Sequence, residues 1–125
     1  MADMNAKNRA VWFDIPVADL DRAIRFYAAV LGIQVHREKF EQFDFAVLEH
    51  EQGNGGCLIP DAGAVSRGGI LVYFNVDGRI RAAVTAVESN GGQVLKDTHP
   101  IGPHGFRAIV LDSEGNRIAL HSTSA

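Results

Sequence analysis

The stretch Phe13-Asp14-Ile15-Pro16-Val17-Ala18-Asp19-Leu20-Asp21-Arg22-Ala23-Ile24-Arg25-Phe26-Tyr27, running on to Leu31-Gly32, reads as a strand that turns into a helix. Ala10 to Val17 is rich in β-branched and aromatic residues, as a half-buried strand requires. Asp19 then offers a carboxylate to the free amides of a first helical turn. From there Leu20, Ala23, Ile24, Tyr27, Val30 and Leu31 recur at helical spacing, which predicts an amphipathic helix of about three turns. Gly32 suits the left-handed residue that closes such a helix.

Working outward, the same text returns later in the chain. Sliding the sequence by 59 residues brings Val17, Arg22, Ala23, Gly32, Gln34 and Val35 onto Val76, Arg81, Ala82, Gly91, Gln93 and Val94. Sliding it by 62 brings the turn Gly53-Asn54 onto Gly115-Asn116, so the repeat continues with a three-residue length difference. After the first helix come strand candidates Val35 to Phe40, Phe43 to Leu48 and Gly55 to Ile59. A Gly-rich linker, Asp61 to Gly69, precedes strand Ile70 to Val76 and a helix opened by Asp77, with Ile80, Ala83, Val84 and Val87 as its apolar stripe. Asn90-Gly91-Gly92 ends it. Strands Gln93 to Lys96, Phe106 to Leu111 and Arg117 to Ser122 follow, separated by the loop Asp97 to Gly105 and the turn Asp112 to Asn116.

The expected fold is therefore α+β: two tandem βαβββ modules, 10–60 and 70–122, forming curved mixed sheets around a cleft within one domain, 10–125. A generic α+β sandwich with both helices on one face of a mixed sheet fits the periodicity equally well, and the duplication is what favours a cleft between two related sheets. Residues 1–9 are polar and non-periodic and read as a flexible N-terminal tail, and the residues after His121 read the same way.

Composition narrows the function. A net charge of −3 with scattered Lys and Arg gives no phosphate-binding patch, so no nucleic acid is expected. No apolar run approaches the ~20 residues of a membrane span, so no membrane is expected. A single cysteine, Cys57, and an N-terminus without an apolar leader point to a reducing, cytoplasmic location.

The opening strand and helix, together with Leu111-Asp112-Ser113-Glu114-Gly115-Asn116-Arg117-Ile118 and Gly91-Gly92-Gln93-Val94 followed by Pro100-Ile101-Gly102, resemble the vicinal-oxygen-chelate superfamily. This is the group of glyoxalases, bleomycin-resistance proteins and extradiol dioxygenases, and the nearest flavour is its small bacterial members. The resemblance implies a homodimer and four cleft positions where metal-bearing relatives carry His, Gln or Glu. Carried over, those positions are Trp12 and Leu71 on the first strands and Cys57 and Ala119 on the last strands. An indole, an isobutyl and a methyl offer no ligand atom, and one thiolate does not hold a transition metal, so neither metal nor cofactor is expected.

Alternation along the strands places Trp12, Asp14, Leu71, Tyr73, Asn75, Cys57, Ala119 and His121 on the cleft side, with Phe13 and Ile15 against the helix. Tyr73 and Arg107 are the polar groups suited to orient an anionic or carbonyl ligand. The expectation is a metal-independent protein that binds a small molecule; the alternatives are a metal-dependent lyase or isomerase of the lactoylglutathione lyase type, and a protein whose cleft is vestigial. Blander readings stand beside each residue: Trp12 as core filler, Cys57 as a small buried apolar group, Arg107 as a solvated strand residue. His99 and His104 lack a recognised ligand spacing. Asp19, Gly32, Asp112, Gly115 and Asn116 read as caps and turns.

Overall fold

A computed structural model describes Ala10 and residues 12–125. The expected tail 1–9 lies outside these residues. Eight strands and two helices follow in the order β1 (Asp14–Val17), α1 (Leu20–Leu31), β2 (Val35–Phe40), β3 (Phe43–Leu48), β4 (Cys57–Pro60), β5 (Tyr73–Asn75), α2 (Ile80–Ser89), β6 (Gln93–Pro100), β7 (Phe106–Leu111) and β8 (Arg117–Ser122). They form two four-stranded mixed sheets of identical plan, β1-β4-β3-β2 and β5-β8-β7-β6. In each, the first strand pairs in parallel with the last and the other pairs are antiparallel. The repeat seen in the sequence is thus a repeat of structure. Asp14 lies beside Cys57 in one sheet and Tyr73, 59 residues on, lies beside Ala119 in the other.

Helix α1 forms where its periodicity places it. The Asp19 carboxylate accepts from the Arg22 amide at 3.1 Å, and Gly32 takes φ +69° while its N–H bonds to the Ala28 carbonyl. Any side chain at that φ would be strained. Leu20, Ala23, Phe26, Tyr27, Val30 and Leu31 are buried against Ile15, Val17, Ala46, Leu48 and Leu58. Helix α2 does the same with Ile80, Ala83 and Val87 over Phe74, Val76, Ala108, Val110, Ile118 and Leu120. The two helices touch, so these residues join into one core on the helical side of both sheets. The alternate residues of every strand form an opposite, inner face.

Several expected boundaries are corrected. Strand β1 begins at Asp14 rather than Ala10, and β5 at Tyr73 rather than Ile70; residues 66–72 run beside β8 with only isolated bonds, Arg117 N–H to Ser66 and Ala119 N–H to Val72. Asp77 does not open α2. Its carboxylate accepts from the backbone and hydroxyl of Thr123, both at 2.6 Å, while Arg79 occupies the cap position and donates to the Val30 carbonyl at the end of α1. The same bonds tie down Thr123, so the chain after His121 is anchored at least this far rather than loose. Strand β6 extends to Pro100 through two register irregularities, leaving a short 3-10 turn at Gly102–His104 where a long loop was expected.

The β7–β8 turn fastens one module to the other. The Glu114 carboxylate, fully removed from solvent, accepts from the amides of Ala18 and Asp19, from Ser113, and from the Arg22 guanidinium through two bonds of 2.8 Å. Burial alone would raise its pKa, but these donors outweigh that and hold the carboxyl at about 2. Beside it Asp112 accepts from the Tyr27 hydroxyl at 2.6 Å and from Asn116, which also donates to the Pro16 carbonyl. Asp19, Asp112 and Asn116 are structural, as their turn chemistry indicated.

Candidate functional site

Three groups of side chains stand on the inner face. In the first module, the Asp14 carboxylate accepts from the Trp12 indole N–H and from the Cys57 thiol, both at 3.2 Å. This fixes the indole, whose ring meets His50 edge-on. Burial first, and then the bond to Asp14, push the Cys57 thiol up to about 11. The thiol is therefore protonated near neutrality and is a poor nucleophile.

In the second module, Arg107 donates through Nη1 to the Tyr73 hydroxyl at 2.6 Å and through Nε to Nε2 of His99 at 3.0 Å. A guanidinium only donates, so Nε2 of His99 must accept, and Nδ1 carries the proton toward the Asp97 carbonyl 2.8 Å away. With both ring nitrogens engaged, His99 has no lone pair to offer a metal. His121 meets the backbone carbonyl of His104 at 2.7 Å. His99, so engaged, is not free to pair with His104 on a metal.

Between the modules, a cavity of about 550 Å³ is lined by Ala10, Trp12, Phe13, Asn54, Gly55, Ile70, Leu71, Val72 and Tyr73. Trp12 and Leu71 occupy equivalent places in the repeat, so this cavity sits where the two modules meet. Two further grooves flank it and are lined by equivalent residues, one with Asp14, Pro16 and Arg117, the other with Tyr73, Asn75 and Gly55. Trp12 and Tyr73 are each 46% exposed, so two aromatic rings face solvent at this point.

The nine residues singled out by sequence therefore separate. Trp12, Leu71 and Tyr73 line the cavity; Asp14 and Arg107 orient two of its aromatic rings by hydrogen bonds. Cys57 and Ala119 are buried, Ala119 completely, so they lie beneath the surface rather than on the cavity wall. Asn75 accepts from the Asp77 amide at 2.8 Å and serves its own turn. His121 does not line the cavity and meets the backbone carbonyl of His104. The role of His99 as partner of Arg107 is not legible in the sequence, where Asp97 to Gly105 reads as a loop. Its place opposite Arg107 follows from the extended β6.

The donor set does not fit a metal. The four places where the resemblance puts ligands hold Trp12, Leu71, Cys57 and Ala119, and among the described residues no three His, Cys, Asp or Glu side chains stand together.

Comparison with known proteins agrees with the architecture. The family model described as Glyoxalase/Bleomycin resistance protein/Dioxygenase superfamily matches residues 9–120. A glyoxylase-like domain-containing protein of Didymella fabae is 31% identical over 115 residues, spanning 86% of this chain and 88% of its own. Among solved structures, a hypothetical protein from S. aureus superposes with a TM-score of 0.72 at 17% identity, covering 92% of this chain and 94% of that one. A glyoxalase-related enzyme from Fulvimarina pelagi gives 0.70 at 17% identity, covering 92% and 88%.

Proposed function

The chain belongs to the glyoxalase/bleomycin resistance protein/dioxygenase superfamily, and from that premise we propose that it is a metal-independent protein that binds a small molecule at the junction of its two modules. The observation that carries this reading is the exchange of chemistry at the family's ligand positions: an indole and an isobutyl, Trp12 and Leu71, stand there beside a cavity of about 550 Å³. Apolar walls with a few fixed polar groups suit a planar organic ligand. Fold membership alone does not choose a reaction, and no catalytic step is assigned.

The test is a screen of planar compounds by thermal shift, with the fluorescence of Trp12, the one tryptophan, as second readout. Hits should quench or shift Trp12 emission and be lost in Leu71→Trp, which places an indole in the cavity. Ala119→Trp is a poor choice, since Ala119 is fully buried and the substitution overpacks the core. In the same assay Zn, Ni, Mn or a chelator should leave the melting temperature unchanged, because a ligand that binds only the folded state raises it. A metal-dependent rise would favour the lyase reading.

Pairing of two copies belongs to the same proposal. Strands β2 and β6 are outer edges, and Phe40 and Phe43 are exposed at the β2–β3 hairpin. Open edges and apolar tips are commonly covered by a second chain. Light scattering should give twice the 13.5 kDa of the chain; a monomer mass at micromolar concentration would refute it. A cytoplasmic location is likewise proposed, supported by a free, buried cysteine.

A further inference from the structure

On the inner face of the second module, Arg107 is half-buried and aligned by two side chains, yet neither is a carboxylate. Arg107 differs in this from the two ion-paired arginines and resembles Arg79, whose guanidinium also meets a neutral acceptor, the Val30 carbonyl. Arg22 pairs with Glu114, and Arg37 pairs with Asp21 and Asp44, while no acidic side chain among the described residues lies within ion-pair distance of Arg107. Strand register puts His99, Arg107, His121 and Asn75 in one row across β6, β7, β8 and β5, a row without an acid. A cation removed from part of its water and given only neutral partners lacks a counter-charge.

The remaining donors are few and grouped. Of the five guanidinium N–H bonds, one goes to His99 and one to Tyr73, which leaves three without a partner among the described residues. The Tyr73 oxygen accepts from Arg107, so its own O–H is left to donate. Tyr73 also lines the cavity with Trp12 and Leu71, joining the apolar wall to the cation. Nδ1 of His99 is committed to Asp97 and Nε2 of His121 to the His104 carbonyl, so Arg107 is the one permanently charged side chain of the row.

We propose that Arg107 and Tyr73 form the receptor for a carboxylate, and that the protein's ligand is a monoanionic organic acid whose apolar body lies against Trp12 and Leu71. A planar guanidinium edge with a neighbouring phenol matches the two oxygens of a carboxylate. One charge on the protein matches one on the ligand, whereas a phosphate monoester would call for a second cation. This inference rests on the reading that the module junction is a ligand site.

The experiment is calorimetric titration of the full chain with 2-naphthoate and with its neutral counterpart 2-naphthamide, which have the same shape. The acid should bind at least about tenfold more tightly than the amide, the scale of one good charge-assisted contact. Arg107→Gln should abolish the acid's advantage over the amide, with a much larger loss for the acid than for the amide. Tyr73→Phe, which removes one donor and keeps the ring, should reduce the acid's advantage several-fold, and it decides the matter if Arg107→Gln does not fold. Equal binding of acid and amide by the wild type, lost in Leu71→Trp, would overturn the carboxylate receptor and leave the cavity reading standing. Failure of both probes to bind would overturn both. An acid preference that survives in folded Arg107→Gln, or is unaltered in Tyr73→Phe, would place the carboxylate elsewhere and sink the proposal.

Discussion

Glu114→Gln should destabilise the folded chain by about 2–3 kcal/mol at pH 7, because it removes a buried charge that five donors are built around. The amide keeps one acceptor oxygen but turns an NH2 group toward donors. Arg22 is half-exposed and can rehydrate, which keeps the loss below the upper end for broken buried pairs. The pH dependence has a definite sign. A folded-state pKa of about 2 against an ordinary 4.5 means that the carboxylate stabilises the fold above about pH 4.5, and that this contribution is lost as pH falls toward 2. The shift corresponds to about 3 kcal/mol. Urea denaturation of both proteins between pH 7 and pH 3 should show a constant wild-type advantage down to about pH 5 that shrinks below about pH 4.5. A drop in melting temperature on the order of 10 °C should accompany the substitution at pH 7. Equal stability of the two proteins at pH 7 would show that the clasp is incidental.

Phe74→Ala should cost more, about 3–5 kcal/mol, the range for deleting a buried phenyl group. Phe74 is 6% exposed and stands edge-on to Phe13 at 5.5 Å and tilted against Tyr27 at 5.4 Å. Both contacts reach from β5 into the other module, so the loss falls on the junction rather than within one sheet. A double-mutant cycle with Phe13→Ala should return a coupling of about 1 kcal/mol, the typical worth of an edge-to-face pair. Since Phe13 also lines the cavity, ligand binding found in the screen should weaken in Phe74→Ala at temperatures where the variant remains folded. Strict additivity of the two losses would mean that the modules are held together elsewhere, with the Glu114 clasp as the first alternative.

The two effects are independent in origin. One is a charged turn reaching from β7–β8 to the start of α1; the other is an aromatic contact at the meeting of the first strands. Together they position the cavity between Trp12, Leu71 and Tyr73. The proposed function therefore draws on Glu114 and Phe74, which do not line the cavity.

The duplicated βαβββ plan is legible in the chain's one-dimensional pattern, because periodicity and caps are local. Leu20 to Leu31 repeat every three to four residues, Asp19 and Gly32 close the ends of that helix, and the 59-residue offset copies the pattern. Alternation with a period of two was a weaker guide to facing: it places Phe13 against the helix, yet Phe13 lines the cavity beside Trp12, because β1 begins only at Asp14. Strand ends were less legible: Ile70 to Val72 have strand composition but lack a continuous ladder, and His99 joins β6 only through register irregularities that no local pattern signals. Which inward residues meet is a matter of long-range packing. Pairing of Arg107 with Tyr73 spans 34 residues, the clasp of Glu114 on Arg22 spans 92, and the sharing of Asp14 by Trp12 and Cys57 depends on the β1–β4 register. Burial of Ala119 is decided by the same long-range packing. These facts depend on distances between strands set by the whole core, and a one-dimensional pattern bears on the face of a residue but not on its neighbour across the sheet.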